Sequence, residues 1–132
     1  MSLDFYLEYK VDNNDIEVFS RNITHNLGEM ADKAGIYEAL WRPHRLSKDW
    51  DKGLLEKHHM QEYKFEDEHI VHAHEIVEKL EVGLKDLKNR PGYFKTFNSE
   101  NGWGMYKHFV PFVEEVLEAC KQYPNAIITS SR

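Results

Sequence analysis

Five of the chain's eight histidines fall between residues 58 and 74: His58, His59, His69, His72 and His74. Imidazole is a common ligand for divalent transition metals, and a carboxylate readily completes such a set. On a helix, residues three and four apart share a face. Helical spacing through this region therefore groups Glu68, His69, His72 and Glu75, with His74 on the other flank and His58 or His59 reaching in from the preceding segment. Zinc, iron or manganese suits that donor set. There is no HExxH sequence and no cysteine pair to strengthen it. The plainer account is a solvated, acidic first turn, which the helix dipole favours. On that account the protein holds no cofactor, and a metal-dependent enzyme or metal-stabilised domain is the alternative. His69 falls inside the apolar stripe and is the one histidine expected to be partly buried.

A second set of side chains suits recognition rather than metal binding. Asn22, Thr24, His25 and Asn26 precede a helix, Trp41 and Arg42 follow it, and Asn98, Asn101 and Trp103 sit in a glycine-punctuated loop. Arg132 ends the chain. Stacking on an indole, readout of polar edges by amides and pairing of arginine with phosphate are what a nucleotide-like ligand needs. A helix N-terminus near His25 and Asn26 would add an anion site, and Gly102 and Gly104 would admit close backbone approach. If these elements converge, they make a pocket for planar, anionic compounds. The competing account is that Asn and Thr cap and turn while Trp41 and Trp103 fill the core. No Walker loop, GxGxxG or GxSxG is present. His25 is a general base in type only, because no nucleophile or paired acid stands at a fixed spacing from it. No catalytic residue is assigned, and binding without catalysis is the expectation.

The elements that must position these residues follow from periodicity. Leu3, Phe5, Leu7, Tyr9 and Val11 alternate with polar residues, so residues 3–11 form a strand with one buried face. Asp12-Asn13-Asn14-Asp15 turns the chain, and Ile16, Val18 and Ser20 continue on one face of a second strand. A hairpin alone is marginal; the β-branched segment 126–130 is expected to join it. Thr24 caps a helix carrying Leu27, Met30, Ala31 and Ala34, and Gly35 stops it. A short helix follows to Leu40 and ends before Pro43. Residues 44–65 show no clean period and read as a mobile insertion, where Trp50, Leu54 and Leu55 offer a homo-oligomer contact. Ile70, Ala73, Val77, Leu80, Leu84 and Leu87 predict a helix over 66–88. Tyr93, Phe94 and Phe97 mark a short turn. A last helix over about 105–122 is expected to kink or restart at Pro111.

These elements make one α+β domain over residues 1–132: a three-stranded antiparallel sheet, hairpin plus C-terminal strand, against three to four helices. The 132 residues carry 17 basic and 23 acidic side chains, a net charge of −6. That balance opposes nonspecific binding of a nucleic-acid backbone, which needs a basic face. No apolar run reaches the roughly 18 residues of a membrane span, and no secretory signal pattern opens the chain. With one cysteine, Cys120, an internal disulfide is excluded. A cytoplasmic protein is expected, with Cys120 a small buried apolar residue.

The stretch Asn22-Ile23-Thr24-His25-Asn26-Leu27, then Met30-Ala31, Gly35-Ile36-Tyr37 and Trp41-Arg42-Pro43, resembles a family of small phage and prophage proteins with an NITHNL…MA…GIY…WRP signature. Asn101-Gly102-Trp103-Gly104, the 109–121 helix and the terminal Ser131-Arg132 are similar to the same family, over about three-quarters of the chain. Residues 44–65 and Pro111 depart from its pattern. The resemblance implies a phage accessory protein in the host cytoplasm and no particular chemistry. A small ligand or a host protein is the expected partner, counter-defence one expected role, and a structural phage component a further alternative.

Overall fold

The structure is a computed structural model that describes residues 2–50 and 69–132. Strand β1 (Ser2–Val11) is central, flanked by β2 (Asn14–Thr24) and β3 (Ile127–Ser131), and both pairings are antiparallel. The hairpin and the C-terminal strand thus share one sheet, as the three apolar patterns required. The turn is tighter than the Asp12–Asp15 run implied. Only Asp12 and Asn13 lie outside the ladder, both at positive φ (50° and 68°), while Asn14 and Asp15 already pair with Val11 and Lys10. Two left-handed residues match the right-handed twist of a hairpin, and Asp and Asn tolerate that region.

Leu3, Phe5 and Leu7 point into the core. Strand β2 does not keep the alternation read from its sequence. Leu7 faces Phe19 and Glu8 faces Glu17, leaving Val18 as an extra residue. A bulge reverses which side chains face inward beyond it. Phe19, Arg21 and Ile23, not Ser20, therefore share the inner face with Leu7, Phe5 and Leu3. Phe19 meets Phe5 edge-on at 6.5 Å, and Arg21 reaches out to Glu115 at 2.6 Å.

Among the described residues there are five α-helices: α1 (Gly28–Lys33), α2 (Tyr37–Trp41), α3 (Val77–Asn89), α4 (Pro91–Lys95) and α5 (Tyr106–Gln122). The amide of Asn26 donates to the Thr24 hydroxyl and opens a 3-10 turn, His25–Leu27, ahead of α1. Gly35, at φ 76°, ends α1: its N–H bonds Asp32 O and that of Ile36 bonds Ala31 O at 2.9 Å. This paired return needs a left-handed residue that glycine adopts without strain. Helices α3 and α5 pack on each other, α5 packs on β2, and α2 packs on β1 and β3. Helix α5 runs unbroken through Pro111 and does not restart there. Pro111 is the sixth residue of the helix, in its second turn, and removes one intrahelical donor there. Cys120 is buried on α5, and burial pushes its thiol up to about 12.

The helix predicted over 66–88 begins later. The N–H of Ile128 donates to Val71 O at 3.0 Å, His72 bridges to Ile127, and Ala73 N–H donates to Ala126 O at 2.8 Å. Pairing with the β3 edge thus takes the backbone groups a helix would have used. Residues 73–76 form a 3-10 turn before α3. Val71 occupies the core, and Ile70, placed on the buried stripe by helical spacing, is exposed. Trp50 is only partly exposed, and Leu54, Leu55 and residues 51–65 generally lie outside the described residues. No helix among the described residues is long and apolar enough to cross a membrane.

Candidate functional site

An open cleft lies where the end of β2 meets the loop before α5. Ser2, Asn22, Thr24, His25 and Asn26 line one side; Asn101, Gly102, Trp103, Gly104 and His108 line the other. The loop is held by its own hydrogen bonds. Gly104 O accepts from Ser99 N–H at 3.1 Å. The Asn101 carboxamide oxygen accepts from the Ser99 hydroxyl at 2.5 Å and from Trp103 N–H at 2.9 Å. The loop docks through Asn26, whose Nδ2 donates to Trp103 O at 2.8 Å. Gly104 makes that contact at φ 105°, and a Cβ there would sit 2.8 Å from Asn26 Cβ. No other residue fits both the backbone and the space. The result is a fastened loop whose Trp103 indole is 70% exposed.

The opposite wall is polar and largely engaged. Asn22 Nδ2 donates across the hairpin to Asp4 at 2.5 Å and to Ser2 Oγ at 2.9 Å. His25 Nε2 lies 2.7 Å from Ser2 O. A carbonyl only accepts, so Nε2 carries the proton and Nδ1 of neutral His25 remains an acceptor. The first amides past Thr24 offer no anion site, because Thr24 already accepts from Asn26 and the helix that follows is a single short stretch. His108, in the first turn of α5, was not among the residues singled out from sequence. Its position just past the glycine loop was the signal for it.

The other residues of the recognition set are elsewhere. Asn98 Oδ1 accepts from Tyr106 N–H at 2.7 Å and so caps α5. Trp41 is 1% exposed and stacks on Tyr37 at 5.5 Å, so its indole is core. Arg42 Nε donates to Tyr37 OH. Arg132 donates to Trp41 O at 2.8 Å and Ser130 Oγ to Leu40 O at 2.7 Å, so β3 satisfies the last carbonyls of α2. The expected convergence of Trp41 and Arg42 with the glycine loop does not occur.

Arg132 lines a separate cavity of about 350 Å³ beside β3, with Glu8, Lys10, Asp15, His44, His69 and Ile127. The two cavities share no lining residue. Beside it, the Trp50 ring lies between His44 and His69, at 4.9 and 5.2 Å and edge-on to both. His69 is buried, but not on a helical stripe, which begins later, and it is not alone, since His44 is buried too; His69 Nδ1 is 3.0 Å from Asp49 Oδ1. The Ser47 hydroxyl and then His69 hold the Asp49 carboxyl down, to about 2.

The proposed carboxylate–imidazole set is thereby divided. Glu68 lies outside the described residues. His69 and His72 precede the helix and do not share a helical face; His69 turns to Asp49, whereas His72 stands at the helix start. There Glu75 Oε2 accepts from His72 N–H at 2.7 Å and lies 3.5 Å from His72 Nδ1. His74, assigned to the opposite flank by helical spacing, stacks on His72 with 5.9 Å between centroids.

Fold and cleft together define a small α+β domain with one exposed indole over a cleft lined by amides, imidazoles and hydroxyls together with Ile23 and Leu27. No family model, curated protein or solved structure matches the chain.

Proposed function

We propose that the protein binds a planar, hydrogen-bonding small molecule of nucleotide-like class in the Trp103 cleft, without catalysis. One observation carries this: an indole left 70% exposed on a loop that five residues, Asn26, Ser99, Asn101, Trp103 and Gly104, hold in place. Exposing a large apolar ring forgoes its burial energy, and a fastened loop removes the alternative of folding it inward. A π-face beside amides, a hydroxyl and imidazoles is the chemistry of base stacking with edge readout. Among the described residues, no Lys or Arg lines the cleft. The base and sugar of the ligand therefore supply the recognition. The resemblance to phage accessory proteins supports a role in sequestering a host nucleotide signal in the cytoplasm; a host protein seated on Trp103 is the competing occupant.

A thermal-shift panel of nucleosides, nucleotides and cyclic dinucleotides tests this on the wild type and on Trp103→Ala. A binder raises the wild-type melting point with concentration, because it stabilises only the folded state. Trp103→Ala should lose about 1–3 kcal/mol of affinity, the usual worth of one stacked base. A panel silent at every concentration, with no small molecule co-purifying, overturns the reading in favour of a protein partner.

A further inference from the structure

We infer that His72, His74 and Glu75 form a binding site for one divalent metal ion of zinc class, separate from the Trp103 cleft. One ligating atom from each residue lies within 4.8 Å of the others. Two imidazoles and one carboxylate are a donor set zinc accepts, leaving one position for water. The edge between His72 Nδ1 and Glu75 Oε2 is already 3.5 Å. Two ligands on a tetrahedral ion with bonds of about 2.1 Å stand roughly 3.4 Å apart. His74 is exposed, and its ligating atom lies within the same 4.8 Å of the other two.

The backbone beneath these residues is independently fixed. His72 bridges to Ile127, Ala73 N–H donates to Ala126 O at 2.8 Å, and His74 N–H donates to Pro124 O at 3.0 Å. The Glu75 carboxylate is oriented by the His72 N–H at 2.7 Å. A hydrogen bond that aims a ligand from behind raises metal affinity, since less order must be imposed on binding. Helix capping accounts for Glu75 and for the place of His72. It does not account for the His74 ring stacked on His72 at an interplanar angle of 11°. The bound ion ties the start of the 73–76 turn to itself and stiffens the join to β3.

The test is calorimetric titration of untagged, metal-stripped protein with Zn2+, and Co2+ absorption as a report of coordination geometry. Wild type should take one equivalent of Zn2+, show a tetrahedral Co2+ spectrum and melt higher with zinc. His74→Ala removes an exposed ligand, and Glu75→Gln keeps an oxygen for the His72 N–H while removing the anionic donor. Both should melt like the metal-free wild type and bind zinc at least about tenfold more weakly. The double variant His58→Ala/His59→Ala should bind as wild type does. Absence of stoichiometric binding, unchanged affinity in His74→Ala and Glu75→Gln, or loss of binding in the 58/59 variant overturns the assignment. Because the readout is zinc itself, nucleotide binding at Trp103 can fail without affecting it.

Discussion

Beside β3, each indole is packed against neighbouring rings: Trp41 stacks on Tyr37, and Trp50 stands between two imidazoles. The arginines there bond the structure itself, Arg132 through Trp41 O and Arg42 through Tyr37 OH. At the other cleft the hydrogen bonds serve the loop backbone and leave Trp103 uncovered. The same residue types build the interior in one region and are presented to solvent in the other. What separates them is the destination of their contacts: ring on ring and guanidinium on carbonyl beside β3, backbone on amide beneath Trp103.

Substitutions should separate the two regions in order of effect. Trp41→Ala should destabilise the fold by about 3–5 kcal/mol, the usual result of emptying a buried aromatic site, read by chemical denaturation. A small loss would show that the α2–β3 side is not the core it looks to be. Gly104→Ala should cost about 1–3 kcal/mol, since φ 105° and a Cβ 2.8 Å from Asn26 strain the loop. Ligand affinity should fall with it; stability unchanged would mean the loop is not fastened through Asn26.

Smaller effects sharpen the contrast. Asp49 titrates near 2 in the fold against an ordinary 3.8, so its contribution to stability is complete above about pH 4 and is lost as the pH falls toward 2. Asp49→Asn should remove that part of the acid dependence of the unfolding midpoint and leave the neutral-pH behaviour of the Trp103 cleft unchanged. Trp103→Ala should change stability least, within about 0.5 kcal/mol, as for an exposed side chain without a buried contact. A loss approaching that of Trp41→Ala would place Trp103 among the structural indoles and end the comparison.

Strand β1, the two long helices and the joining of β3 to the hairpin were legible because each rests on a local repeat of apolar residues. The Gly35 stop and the Thr24 cap were legible because each depends on a few adjacent backbone groups. The β2 alternation was not: a single extra residue at Val18 reverses every inward side chain beyond it, and the residue types do not announce a bulge. The start of α3 was misplaced for a related reason. Residues 71–73 spend their backbone groups on Ile128, Ile127 and Ala126, which are distant in sequence.

Of the recognition set, His25, Asn26, Asn101 and Trp103 come together, whereas Trp41 and Arg132 join α2 to β3 and Arg42 bonds back to Tyr37 on α2. Residue type and the spacing of apolar residues determined that this chain would carry an α+β fold with indoles, amides and imidazoles at its turns. Which indole is exposed, and which imidazoles are neighbours, was decided only by tertiary structure. Burial is a competition among all apolar groups for one core, and a close approach such as Gly104 on Asn26 exists only once distant segments have packed.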